Sequence, residues 1–313
     1  MRIAVIGVGG VGGMLAVRLA AAGHEVSVVA RGAHLAAIRE HGLRLVTPDD
    51  DLTMRPAAAA TTGADLGPAD LVIVAVKGQD LEGAMDLMAP LMAGQGALGP
   101  VVALPFLNGV EATSMLAARF GTGQALIGTA RISAFIEAPG VVRQATAKAS
   151  YILGDAAGRQ DGAAVTAIRT AFGAAGIAAP DCADVRRDLW AKFAVLVALA
   201  GVTAGARCDV GTLRATPALG DLFRRLSAEV VALAAAEGVT LPDSQPEEAY
   251  GFMSRLGAEV RASMAFDLAS GKALEVDWLN GAVARLSAAH GIEAPANATV
   301  AALLAPFRDG ARA

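Results

Sequence analysis

The chain has 313 residues, enough for one large domain or two ordinary ones. It is 54% hydrophobic and only 18% charged, which excludes wholesale disorder and allows a sizeable core. The formal net charge of −4 gives no basic excess, so neither nucleic acid nor an anionic membrane is expected as the partner.

The two cysteines, Cys182 and Cys208, form no disulfide framework and no metal-ligand spacing, and the histidines show no HxxxH pairing. No metal is therefore predicted, and two reduced thiols suit a cytoplasmic protein. The opening MRIAVIG has one basic residue, with glycines too early for a signal segment. The uncharged run from Phe193 to Ala206 is shorter than the ~18 residues a membrane helix needs. The expectation is a soluble cytoplasmic globule.

RIAVI at 2–6 is short, apolar and β-branched, and predicts a buried parallel strand. GVGGVGG at 7–13 then opens an apolar-periodic helix running through Ala22, with Gly23 as its C′ residue. EVSVVA at 25–30 predicts a second strand. The glycines at 7, 9 and 12 fit GxGxxG in the strand–helix context that binds dinucleotides. Gly7 allows the tight turn, Gly9 lets a pyrophosphate approach the backbone, and Gly12 lets helix and strand pack closely. Gly10 and Val11, at the predicted helix N-terminus, join them as cofactor-binding candidates. An NAD enzyme usually ends its second strand with a carboxylate for the ribose 2′-hydroxyl. Here Ala30 is followed by Arg31, and the next carboxylate along the chain is Glu40. An arginine there can pair with a 2′-phosphate, so NADP(H) is the predicted cofactor; a surface arginine at the strand end is the alternative.

DLVIVAV at 70–76 predicts a strand ending at Lys77, and PVVAL at 100–104 another leading to Asn108 and Gly109. Ligands gather at the carboxyl ends of parallel strands, which makes Lys77 and Asn108 candidates. A solvated loop lysine and simple Asn-Gly turn chemistry fit the same positions. The stretches 125–136 and 141–153 read as a closing set of strands joined by a turn at Pro139-Gly140, and 163–175 as a helix. Beyond about residue 181 the strand-like runs stop. Helices are predicted over 184–206, 217–237, 246–270 and 275–290, punctuated near 211, 238–242 and 291–295. The expected organisation is a nucleotide-binding domain at 1–180 and a helical substrate and catalytic domain at 181–313, with ligand in a cleft between them. Apolar helical faces of this kind admit a homodimer.

With these residues laid out, the chain resembles the ketopantoate reductase (2-dehydropantoate 2-reductase) family. The resemblance rests on RIAVIGVGGVGG, ARG at 30–32, VAVKGQD at 74–80 and LNGVE at 107–111. It continues in LWAKFAV at 189–195, SMAFDLASGKALEVDWLNG at 263–281 and HGIEAPAN at 290–297. It implies an α/β N-terminal Rossmann-type domain followed by an all-α C-terminal domain of the 6-phosphogluconate dehydrogenase C-terminal-like kind. It also implies NADPH-dependent reduction of a small 2-oxo acid to a 2-hydroxy acid, as in pantothenate biosynthesis. Lys192 aligns with the family's catalytic lysine, and Glu275 with the glutamate that orients it. Ser263 aligns with a serine that holds the substrate carboxylate. Asn108 aligns with an asparagine beside the nicotinamide and the lysine, so Asn108 and Glu275 also count as cofactor-binding residues. Read singly, Lys192 could snorkel from the end of a core helix and Glu275 could sit in the first turn of a helix.

The chain departs from the family pattern at the substrate side chains. Residues 192, 196 and 200 share one helical face. Where family members commonly carry asparagines, this chain has Leu196 and Ala200, and it has Val260 three residues before Ser263. These departures point to a less polar 2-oxo acid, or another carbonyl or imine compound, as substrate, with ketopantoate itself as the alternative. Two other readings fit the same fold: an opine- or imine-type dehydrogenase, and a non-catalytic NADP(H)-sensing protein.

Overall fold

The computed structural model describes residues 1–97, 99–146 and 148–310. The chain forms two compact units. The first comprises Met1–Leu107 and Glu111–Val185; the second comprises Asn108–Val110 and the chain from Arg186 onward.

The first unit begins β1 (Arg2–Ile6), α1 (Gly10–Ala21), β2 (Glu25–Val29) and α2 (Gly32–His41). Next come β3 (Leu43–Val46), β4 (Asp51–Met54), β5 (Ala59–Ala60), β6 (Leu71–Val74) and α3 (Leu81–Met92). A short hairpin, β7 (Gln95–Gly96) and β8 (Gly99–Pro100), precedes β9 (Val102–Pro105) and α4 (Ala112–Phe120). The unit ends with β10 (Leu126–Arg131), β11 (Ala134–Ala138), β12 (Val141–Gln144), β13 (Ser150–Asp155) and α5 (Ala163–Ala174).

The central sheet is parallel, in the order β5-β2-β1-β6-β9. Its register sets Ile3 beside Val26 and Leu71. Both faces of these strands are buried, which is why they read as unbroken apolar runs. α1 ends as its glycine suggests. Gly23 has φ +86°, its N–H donates to the Ala20 carbonyl, and the His24 N–H donates to Leu19, which is the Schellman arrangement.

The later strands do not close this sheet. β10 and β13 pair with each other, and β11 and β12 join β3 and β4 in a second sheet of order β11-β12-β3-β4. The turn at Pro139-Gly140 forms as expected, with Gly140 at φ +78°. β3 and β4 were not predicted. Their alternation of buried and exposed residues is short, and β3 gains its second partner only from β12, about a hundred residues later. α1 packs against strands of both sheets, so it is buried almost all round.

The second unit holds α6 (Val185–Gly205), α7 (Val210–Ala215), α8 (Pro217–Ala236), α9 (Gln245–Ser254), α10 (Ser263–Ala269), α11 (Asn280–Ala289) and α12 (Pro295–Leu304). By length and composition α6 could cross a membrane, but 61% of its apolar window is buried inside the protein, as in a core helix. The helix predicted over 246–270 is broken. Residues 255–262 leave helical geometry, and the carbonyls of Val260 and Ala258 accept the N–H groups of Val210 and Gly211. Gly211 lies inside α7, where an added Cβ would sit 3.0 Å from that of Ala258. The helix predicted over 275–290 begins only at Asn280, after a 3-10 turn at Val276–Trp278.

A buried polar network ties the helices together. Asn280 Nδ2 donates to Asn297 Oδ1 (2.9 Å) and more weakly to the Val197 carbonyl of α6 (3.4 Å). Asn297 Nδ2 donates to Glu229 (2.7 Å), whose carboxylate also accepts the first N–H groups of α12. Against Asn280, α6 carries Gly201, where a Cβ would lie 2.7 Å from the amide.

Candidate active site

In the first unit a cavity of about 510 Å³ lies at the carboxyl ends of the parallel strands. Its lining includes Gly7, Gly9, Arg31, His34, Lys77 and Asp80. The glycines of the loop have distinct causes. Gly7 has φ +90°, a conformation side chains rarely adopt. A Cβ at Gly12 would collide with the Gly7 carbonyl and press on Ala75, so this glycine permits close helix–strand packing. A Cβ at Gly9 would meet nothing within 4 Å, leaving open space in front of the backbone. Gly9 is also the N-cap of α1. No side chain caps that helix and its first turn has no acidic residue, so its N–H groups suit an anion. The motif reading did not reach the reason for Gly10 and Gly13. A Cβ at Gly10 would collide with the Ala134 backbone of β11, and one at Gly13 would lie 2.6 Å from Val142 Cγ2.

Two functional candidates in this cavity were missed from sequence. His34 Nδ1 accepts the Gly140 N–H (2.9 Å), which leaves Nε2–H to donate to the Val8 carbonyl (2.9 Å). The histidine thus joins the glycine loop to the β11–β12 turn. Burial lowers its pKa below the ordinary value, against a smaller opposing effect of the Val8 carbonyl. The second is Asp80. The reading that no carboxylate is available near Arg31 holds only along the chain. In space Asp80 Oδ1 lies 3.3 Å from Arg31 Nη2. The 49-residue separation of the two hides that pairing from any local motif.

In the second unit α6 carries Lys192 and Leu196, both half-buried, and Ala200, which is fully buried in the core. Glu275 is buried at 6% exposure, just before the 3-10 turn, with its carbonyl accepting the N–H groups of Trp278 and Leu279. Asn108 belongs to this unit. Its Nδ2 donates to Glu275 Oε2 at 3.4 Å, and Gly109, at φ +95°, lets the backbone pass the Trp278 carbonyl. Ser263 is exposed and opens α10. The residue before it is anchored to α6: the Ala262 N–H donates to Thr203 Oγ1 (3.3 Å), and that hydroxyl donates to the Leu199 carbonyl (2.7 Å). No group of three or more His, Cys, Asp or Glu with metal-binding geometry occurs among the described residues.

Two family models match this chain. "Ketopantoate reductase PanE/ApbA" covers residues 3–158, and "Ketopantoate reductase PanE/ApbA C terminal" covers residues 184–308. The chain belongs to the ketopantoate reductase family. It is 34% identical to the 2-dehydropantoate 2-reductase of Mesorhizobium japonicum, over 91% of each chain. It is equally identical to that of Halobacterium salinarum, over 97% of this chain and 98% of the relative. Among solved structures it is similar to the PanE/ApbA family ketopantoate reductase from Ralstonia eutropha JMP134, with 31% identity, TM-score 0.86 and 98% of each chain covered. For this ketopantoate reductase family member, the Rossmann-type α/β unit and the helical unit are thus the family's fold. α5 (Ala163–Ala174) lies between the two matched stretches and completes the first unit through the packing of Phe172 on Phe106 and Tyr151.

Proposed function

We propose that this member of the family is an NADPH-dependent reductase that converts a 2-oxo acid to a 2-hydroxy acid, the type of reaction for which its relatives are named 2-dehydropantoate 2-reductases. The observation that carries the reading is the Asn108–Glu275 contact. It joins two positions far apart in sequence in the unit that also bears Lys192. The residues of the first cavity fit a dinucleotide: an open glycine backbone at Gly9, an uncapped helix N-terminus and the guanidinium of Arg31. Arg31 would take the 2′-phosphate, which favours NADP(H) over NAD(H), with Gly7, Gly10, Val11, Gly12 and Lys77 in supporting positions.

A nicotinamide dinucleotide held by these residues would supply the hydride that reduces the substrate carbonyl. The protein's part is to manage the charge that then develops on the oxygen. The Lys192 ammonium hydrogen-bonds that oxygen and gives it a proton. Glu275, buried and bonded to Asn108, holds the lysine in place, and Ser263 hydrogen-bonds the substrate carboxylate. Leu196 and Val260 offer no amide to a substrate hydroxyl, and Ala200 has withdrawn into the core. Desolvating an unpaired hydroxyl costs about 1–3 kcal/mol on protein scales. The favoured substrate is therefore a 2-oxo acid with an apolar side chain.

The test is the initial rate of NADPH oxidation with ketopantoate beside a panel of 2-oxo acids graded in side-chain polarity. An apolar acid should exceed ketopantoate in kcat/KM by about fivefold or more, the equivalent of 1 kcal/mol. A preference for ketopantoate would overturn the substrate reading and leave the reductase reading intact. Absence of turnover with every 2-oxo acid would overturn both.

A further inference from the structure

Asp80 closes a 3-10 turn, Gly78–Asp80, that runs directly into α3, so its backbone is helical and its carboxylate is not placed to accept an N–H group of the first turn. The carboxylate turns instead to Arg31, with Oδ1 at 3.3 Å from Nη2. The two residues follow different strands, Arg31 after β2 and Asp80 after β6, and both line the cavity of the first unit. Arg31 is 84% exposed, so solvent screens the pair to a modest strength and the guanidinium can exchange Asp80 for another anion.

This geometry sets two opposed charges at the place assigned above to the adenine ribose. A carboxylate accepts hydrogen bonds and cannot donate them. It therefore suits a ribose 2′-hydroxyl and repels a 2′-phosphate, whose charge is near −2. An arginine has the opposite preference. We infer that Asp80 is a specificity-determining residue for the cofactor. It competes with the 2′-phosphate for Arg31 and offers NADH an acceptor, so the preference for NADPH over NADH is smaller than Arg31 alone would give. The inference rests on the reading that Arg31 meets the ribose 2′ position.

The experiment is a set of dissociation constants for NADPH and NADH, read from nucleotide fluorescence, on the full chain and on Asp80→Asn, Asp80→Ala, Arg31→Ala and the double variant Arg31→Ala/Asp80→Asn. Arg31 is exposed and Asp80 half-buried, and thermal melts confirm that each variant is folded. With Asp80 neutralised, NADPH should bind about three- to tenfold tighter and NADH should bind weaker, and low salt should enlarge the NADPH gain. In the Arg31→Ala background the NADPH gain should shrink, because part of it comes from freeing the guanidinium. If Asp80→Asn and Asp80→Ala leave both constants unchanged while Arg31→Ala weakens NADPH, the role of Asp80 is overturned and the NADP(H) reading stands. If Arg31→Ala leaves NADPH binding unchanged, both fall.

Discussion

Lys192 and His34 show how much a single side chain depends on what its element brings to it. Lys192 stands at the threshold of an apolar run, and the proposed mechanism gives it the reacting oxygen. Lys192→Ala should lower kcat by about a hundredfold or more and leave the NADPH dissociation constant within about twofold. Loss of NADPH binding in that variant would mean that the lysine serves the cofactor. His34 has no motif at all, yet it bonds two separate backbone segments. His34→Ala loses a donor and an acceptor and should cost about 1–3 kcal/mol in stability. The pH dependence has a definite sign. The folded pKa of His34 lies below the ordinary value of 6.5, so its stabilising contribution is present above that value. It is lost as pH falls from there through the lower folded pKa, because a protonated Nδ1 can no longer accept the Gly140 N–H. Melting temperatures from pH 8 to 5 should fall more for the native protein than for His34→Ala; parallel curves would remove His34 as the cause.

At the scale of elements, neighbouring glycines in one loop separate ligand binding from packing. An added Cβ at Gly9 enters open space, while one at Gly10 strikes the backbone of β11. Gly9→Ala should therefore keep its melting temperature and lose NADPH affinity. Gly10→Ala should lose about 1–3 kcal/mol of stability, because β11 must move away from α1. Equal losses of stability in the two variants would contradict this division. The same physics explains why GVGGVGG has more glycines than the dinucleotide motif requires. The motif accounts for positions 7, 9 and 12. Positions 10 and 13 serve the β11–β12 hairpin, which the chain supplies about 120 residues later.

For the whole molecule, acid stability has an identifiable contributor in the first unit. Asp70 is buried, which by itself raises its pKa, but bonds from the Arg2 side chain and N–H and from the Ala97 N–H outweigh burial and hold it at about 2. Its stabilising effect is present above the unfolded aspartate value and is lost as pH falls from about 3.9 toward that folded value. Asp70→Asn should destabilise the protein by about 2 kcal/mol at pH 7, and the difference from native should narrow below pH 4. A constant difference across that range would rule out the carboxylate as the cause.

Local sequence determined the elements whose signal is complete within a few residues. β1, β2, β6 and β9 are mostly apolar runs, α1 has its glycine loop and Gly23 stop, α6 is a long apolar run, and α8 is long and periodic. The order of family motifs likewise needs no structure to be read. Tertiary structure decided whatever depends on partners distant in the chain. β3 and β4 became strands through a sheet that β12 completes. The expected helix at 246–270 broke because residues 255–262 found hydrogen bonds with the start of α7. Asp80 came to Arg31 across 49 residues, and Asn108 to Glu275 across 167. Propensity and periodicity act between near neighbours, whereas pairing and site assembly gain their energy only after distant segments have met.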